Sequence, residues 1–434
     1  MVYEDYWESV RAQLRTYRAR KLREVHLWFD VVPESKKSSP ASRIAFQKEL
    51  ATQLEQRRRR RPFSVPVVVQ MDFTASLVNP PSVHTLAKHY LDLLQAPVAG
   101  SGLSQRRLLL TDDRFVKVLI CNYSIADGVP PGLSIRIATL NDFALNLELL
   151  RRVLHREFSD KEEWRSVHGW PTEDDEDRER EDFDDAVQDY RRDLSRKDRY
   201  IQQGGNALWE AIHWWSLRTL QEHMLNNREP HALQFQPIFQ KRKKATDPRL
   251  ERLHESLVAF SRELLTKALV SVDLGSPAVN EGEGAQFREK TRAALAELGR
   301  RHKYMKPLVA QLGVTILYLP PVKSNGIDLD NLARKVLPWV HEELKPPVTF
   351  LHGLKGTNRN HELSKELRGH WEKVKRVPTD QVTRYQVLEV PRTTSDPAEG
   401  SIKLILHSGA IDARGPWYEC DETLRKWEHA VEWV

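Results

Sequence analysis

PPSVHTLAKHYLDLL at residues 80–94 and NGIDLDNLARKVLPWV at residues 325–340 decide how this chain is read. Set side by side, they place Leu86 with Leu332, Ala87 with Ala333 and Lys88 with Arg334. The first carries Leu86, Tyr90, Leu91 and Leu94 at helical spacing, so both stretches read as amphipathic helices. Their likeness across roughly 240 residues predicts a duplication.

Working outward, the same order of elements surrounds each helix. VHLWFDVV (25–32) reads as a strand, SPASRIAFQKELATQLEQ (39–56) as a capped helix, and PFSVPVVVQMDFTASL (62–77) as an apolar, central strand. After the 80–94 helix, LLLTDDRFVKVLICNYS (108–124) gives a turn into a buried strand. In the second half ALVSVDLGSP, EGAQFREKTRAALAELGRRHK and PLVAQLGVTILYLPP repeat strand, helix and strand, and TDQVTRYQVLEVPR follows the 324–344 helix as a strand. Each half is therefore an α/β unit expected to bury one sheet face under helices, and the pair is expected to form a fused pseudo-dimer around a mixed sheet.

The division that follows is an N-terminal helix (1–23), a first α/β domain (24–150), a charged helical insert (151–265) and a second α/β domain (266–434) with a helical hairpin inserted at 345–378. The insert contains a Gly204–Gly205 break and an acidic run at 173–185, expected as a solvated helix. Its ALWEAIHWWSLRTLQEHML segment offers Trp209, Ile212, Trp215, Leu217 and Leu220 for packing, a docking arm for the rest of the chain or for a protein partner.

Composition narrows the function classes. Lys and Arg total 67 against 61 acidic residues, a net charge of +6, with positive charge concentrated at Arg57–Arg61 and Lys241–Lys244. Basic runs of this kind point towards nucleic acid, although cations also suit the end of a helix. With two cysteines, Cys121 and Cys420, the chain has neither a disulfide framework nor a cysteine-rich zinc site, and an intracellular, cytoplasmic setting is expected. No apolar run reaches membrane-spanning length and no secretory leader is evident, so no membrane association is expected. The ATP-binding G-x-x-x-x-G-K-[ST] loop and the G-x-S-x-G elbow are both missing.

Chemistry concentrates at Asp328 and Asp330, followed by Asn331 and, one turn on, by Arg334 and Lys335. Aspartates here have two readings. One is a helix cap, favoured by the free N–H groups of a helix start. The other is a cation site, in which carboxylates at i and i+2 converge on a hard divalent ion and Arg334 reaches the phosphate it binds.

The order of elements adds to the second reading. GIDLDNLARKVLPWV resembles the signature of the RusA family of Holliday-junction resolvases, D-x-D-N-L-x-K after an apolar strand, with Arg334 in the lysine's place. The family's later D-D-x-Q-V strand is similar to TDQVTRYQVLEV, where Gln381 and Val382 match and Asp380 is the nearest acid, displaced by one residue. VSVDLGSPAVNEG matches the family's first strand and loop, so the resemblance spans about 268–410. It implies a Mg²⁺- or Mn²⁺-dependent endonuclease acting on branched or duplex DNA in recombination and repair, working as a homodimer. It would use Asp328, Asp330 and Asp380 as metal ligands, with Asn331 and Arg334 in the catalytic site.

The first half resembles the same unit with Ser82 and His84 in place of the two aspartates, while Lys88 keeps the basic position and Asp112 and Asp113 remain. It is expected to hold no metal of its own. DNA contacts are expected from Lys335, Lys88, Arg57, Arg58 and Arg59, and from Lys373, Lys375 and Arg376 in the inserted hairpin. The alternative is an inactive RusA-like DNA-binding or scaffold subunit of a larger phage- or mobile-element-related assembly.

Overall fold

A computed structural model describes residues 9–59, 61–75, 81–125, 129–157, 173–226, 230–239, 248–267, 270–277, 283–322, 326–345, 382–409 and 415–432. A single eight-stranded mixed sheet runs through both halves in the order β1-β4-β2-β3-β7-β6-β8-β5. The first half supplies β1 (Val25–Phe29), β2 (Val67–Ala75), β3 (Val116–Ile125) and β4 (Gly132–Thr139). The second supplies β5 (Val270–Gly275), β6 (Leu312–Leu319), β7 (Val382–Glu389) and β8 (Ser401–Ser408).

This strand order is a palindrome: exchanging β1, β2, β3 and β4 for β5, β6, β7 and β8 leaves it unchanged. Pairing follows the same exchange. β2 lies parallel to β3 from Val67↔Val116, with an irregularity after Val67, and β6 lies parallel to β7 from Leu312↔Val382, with one after Leu312. The offset that relates Val116 to Val382 also relates Ile120 to Gln386, and these two face each other across the antiparallel β3–β7 ladder. The internal twofold therefore passes through that pair.

Helices cover both faces of the sheet, where the sequence predicted one covered face. The physical reason is in the strands: every residue of β6 is buried, so neither face can be left in water. One layer holds α2 (Pro40–Gln56), α3 (Val83–Leu93), α9 (Glu283–Arg301) and α10 (Leu329–Leu344), which pack Phe46, Leu86, Leu295 and Val336 into a continuous core spanning both halves. The other holds α1 (Val10–Arg23), α4 (Leu140–Glu157), α7 (Ala232–Phe239), α8 (Pro248–Lys267) and α11 (Pro416–Glu432), with Tyr17, Phe143, Phe235 and Trp417 inside. Each fully buried large apolar side chain contributes about 1.5–3 kcal/mol.

Local sequence explains the helix starts. Ser9 caps α1 by accepting from Ala12 N–H, and Ser39 caps α2 by accepting from Ser42 N–H with Pro40 at the first helical position. At the outer strand β1, Gln53 of α2 bonds both Trp28 N–H and Trp28 C=O through its side-chain amide. That contact blunts an otherwise open sheet edge.

Besides α7 and most of α8, which lie on the sheet, the insert contributes α5 (Glu173–Ser195) and α6 (Lys197–Leu225). The acidic run is helical, and the expected glycine break is a kink, with Gly205 at φ 73° inside α6. The arm docks through an apolar cluster, with Ala211 and Leu217 against Val309 and Tyr190 against Tyr304, and through one polar side chain. Gln221, fully buried, donates to Tyr304 and Pro307 carbonyls at 2.7 Å each and accepts from Val309 and Ala310 N–H at 2.7 and 3.0 Å. The inserted hairpin falls outside the described residues.

Candidate metal centre between the two halves

Ahead of α10, Gly326 sits at φ +76°, and Tyr318 Oη at the end of β6 accepts from Ile327 N–H at 2.9 Å, fixing the approach to the helix. Asp328 then occupies the N-cap position, but its side chain makes no capping bond to the backbone. Its carboxylate instead accepts from Asn331 Nδ2 at 3.2 Å. Of the two readings of Asp328, the helix cap is thus realised by the backbone alone, and the carboxylate remains available.

Asp330, one residue into the helix, is 2% exposed. Its Oδ2 receives no aligned hydrogen bond, although Lys88 Nζ lies 2.7 Å away. The third carboxylate comes from the other half: one oxygen each from Asp113, Asp328 and Asp330 lie within 4.8 Å of one another. Asp113 opens the short 3₁₀ turn that leads into β3. Because β3 is antiparallel to β7 and β7 parallel to β6, the beginning of β3 and the end of β6 meet at one rim of the sheet.

The expected third ligand, Asp380, lies outside the described residues, and the acid that joins the pair is Asp113. The TDDRFV segment divides its labour. Asp112 caps the turn and grips Arg114 at 2.8 Å, which holds its carboxyl down at about 2, while Asp113 faces the cluster. The signal in the sequence was an acidic pair, Asp112 and Asp113, in a half whose own helix has Ser82 and His84 where the other half has its aspartates.

Lys88, expected on a DNA-facing surface, is placed instead among carboxylates. Its ammonium is 2.7 Å from Asp330, 3.0 Å from Asp92 and 3.3 Å from Asp113. Burial pulls its pKa down, but Asp330 and Asp92 outweigh this and the net shift is upward. Asp328 is pushed up, first by burial and then by the charges of Asp113 and Asp330. Crowded carboxylates raise one another's pKa until a cation relieves them.

The mirror position shows the opposite chemistry. Ser82 Oγ contacts His84 Nε2 at 3.1 Å and Thr85 Oγ1 at 2.9 Å, and burial, then Arg334 and His341, push His84 down to about 4. The mirror position thus offers an imidazole and a hydroxyl beside a guanidinium, in place of the hard anionic oxygens that magnesium prefers.

Around Asp328 the surface forms an open concavity of about 420 Å³ lined by Gly326, Ile327, Asn331, Arg334 and Lys335. Arg334 and Lys335 are both exposed. A larger cavity, about 590 Å³, lies between β1, α2 and α3. It contains none of the three clustered aspartates, so the chemistry is assigned to the smaller one. Of the other expected DNA contacts, Arg57 and Arg58 are exposed at the end of α2, whereas Arg59 is half-buried with its guanidinium 3.7 Å over the Phe63 ring. Lys373, Lys375 and Arg376 lie outside the described residues.

No family model, curated protein or solved structure matches this chain. Among the described residues, no helix is long and apolar enough to cross a membrane.

Proposed function

We propose that this protein is a magnesium-dependent, structure-selective DNA endonuclease of RusA-like architecture, acting on branched DNA in the cytoplasm. The single observation that carries this reading is the convergence of Asp113, Asp328 and Asp330, drawn from two halves of the chain, beside two exposed cations. The residues fit the group. All three offer hard carboxylate oxygens, as magnesium or manganese prefers, and the buried Asp330 Oδ2 is paired with the Lys88 ammonium, leaving Asp328 of the trio to face the concavity.

In this reading the three aspartates hold the ion at the rim of the sheet. Asn331 orients Asp328 through its 3.2 Å bond. Arg334 and Lys335 hold the DNA backbone across the concavity, as charge-assisted phosphate contacts do. When bound, magnesium supplies Lewis-acid chemistry to the phosphoryl centre. Since Ser82 and His84 fill the mirror position, each chain has one cutting centre, and paired symmetrical incision of a junction requires two chains.

The test is incubation of the protein with a synthetic four-way junction, a nicked duplex and a flap in Mg²⁺. Cleavage that Asp330→Asn abolishes supports the reading. Binding without cleavage, indifferent to Mg²⁺ and EDTA, would overturn it in favour of a catalytically inert scaffold.

A further inference from the structure

Lys88 is the only part of the acidic centre that contributes positive charge from within the carboxylate cluster among the described contacts. An ammonium has three donors, and three carboxylates surround this one, Asp330, Asp92 and Asp113 at 2.7, 3.0 and 3.3 Å. Its side chain is 12% exposed, and that of Asp330 is 1% exposed. Two of the three groups touching it belong to the trio that can hold a metal, so the ammonium stands inside the ligand set rather than beside it.

The charges around this point divide in a definite way. Asp92 is answered by Lys36 at 2.7 Å and Asp112 by Arg114 at 2.8 Å. Of the three clustered aspartates, Lys88 neutralises the equivalent of one. Two negative charges remain, which one divalent cation balances and two would overfill. Two-metal phosphodiesterase centres place their ions about 3.5–4 Å apart. A cationic group within contact distance of both Asp113 and Asp330 leaves a single such position, on the Asp328 side, where the concavity opens.

Resting on the endonuclease reading, we infer that the centre is a one-ion site in which Lys88 of the first half permanently occupies the place of a second metal. The lysine is delivered across the internal twofold by α3, which packs on α10. Its counterpart Arg334 acts on His84 in the mirror position, where Ser82 and His84 stand in place of the two aspartates. The duplicated chain thus uses its degenerate half to complete the competent one with an acid, Asp113, and a fixed cation, Lys88.

The experiment counts Mn²⁺ on the full-length chain, using the electron paramagnetic resonance signal of free ion and titration calorimetry. One bound Mn²⁺ per wild-type chain, two in Lys88→Met and one again in Lys88→Arg are the expected results. Two ions on the wild-type chain, or one on Lys88→Met, overturns the inference while leaving the endonuclease reading standing. No bound Mn²⁺ on the wild-type chain overturns both. If Lys88→Met fails to fold, Lys88→Gln, which also removes the charge, takes its place with the same expected count of two, and a count of one overturns the inference.

Discussion

Lys88 Nζ lies 2.7 Å from Asp330 Oδ2, joining a helix of the first half to a helix of the second at the rim of their shared sheet. Neither half can complete this centre alone. The contact links the two principal properties of the molecule, a continuous sheet with internal twofold symmetry and, among the described residues, an acidic cluster on one side of it. Symmetry of the backbone places the groups, and asymmetry of the side chains decides which of two equivalent places is acidic.

Asp113 is expected to be as important for cutting as the two aspartates of α10. Asp113→Asn keeps the side-chain volume and removes one anionic ligand, so cleavage of a branched substrate should fall by on the order of 10²-fold or more, as when other transition-state charge partners are removed. Single-turnover cleavage in Mg²⁺, with binding measured in parallel, checks this. Cutting near the wild-type rate would show that Asp113 is not a ligand.

Removing the lysine should destabilise the protein when no metal is present. Lys88→Met leaves Asp330, which is 2% exposed, facing Asp113 without its cation. Loss of one partner from a buried pair costs about 3 kcal/mol or more. Urea unfolding in EDTA should show the deficit, and added Mn²⁺ should restore more stability to the variant than to the wild type.

Stability should fall as pH drops below neutrality. Burial, then nearby arginine charge, pushes His84 down to about 4 and His407 to about 3. Both folded values lie below the ordinary 6.5, so the unfolded chain binds more protons in that interval. The sign is therefore loss of stability as pH falls from about 6.5 towards 4, on the order of 1.4 kcal/mol per pH unit for each histidine. Denaturation midpoints at pH 7 and pH 5 test it, and a flat profile would contradict the burial of these rings.

Gln221→Ala should loosen the helical arm without unfolding the sheet. The substitution strands two backbone carbonyls and two N–H groups in the segment 304–310. Unsatisfied buried groups cost about 1–3 kcal/mol each, with relaxation and water entry reducing the total. Hydrogen exchange should accelerate at Val309 and Ala310 while β2 and β3 remain protected. Unchanged exchange there would mean that the arm is held by its apolar contacts alone.

The duplication was legible because helices with matching apolar faces, 80–94 and 325–340, carry a signal that 3.6-residue periodicity makes visible. Strands β4 and β8 were not anticipated. GLSIRIAT and SIKLILHS are short, and β4 is buried along nearly its whole length, so it lacks the alternation that marks a half-exposed strand. The same burial hid the second helical layer. Within the site, Asp328 and Asp330 stood out by spacing and by their place at a helix start, whereas Lys88 looked like a surface cation because two of its three partners, Asp113 and Asp330, lie far along the chain.

By itself the sequence determined the repeated order of strands and helices, the helix carrying the acidic pair, and the presence of Ser82 and His84 at the matching positions of the first half. Those are properties of neighbouring residues, set by local spacing and side-chain chemistry. Only the tertiary structure decided that Asp113 and Lys88 cross to the other half. That follows from the antiparallel β3–β7 ladder, whose register through Ile120 and Gln386 brings the start of one strand beside the end of another from the opposite copy. Pairing between strands so distant in sequence is fixed by the burial of both sheet faces together, which no local pattern of residues records.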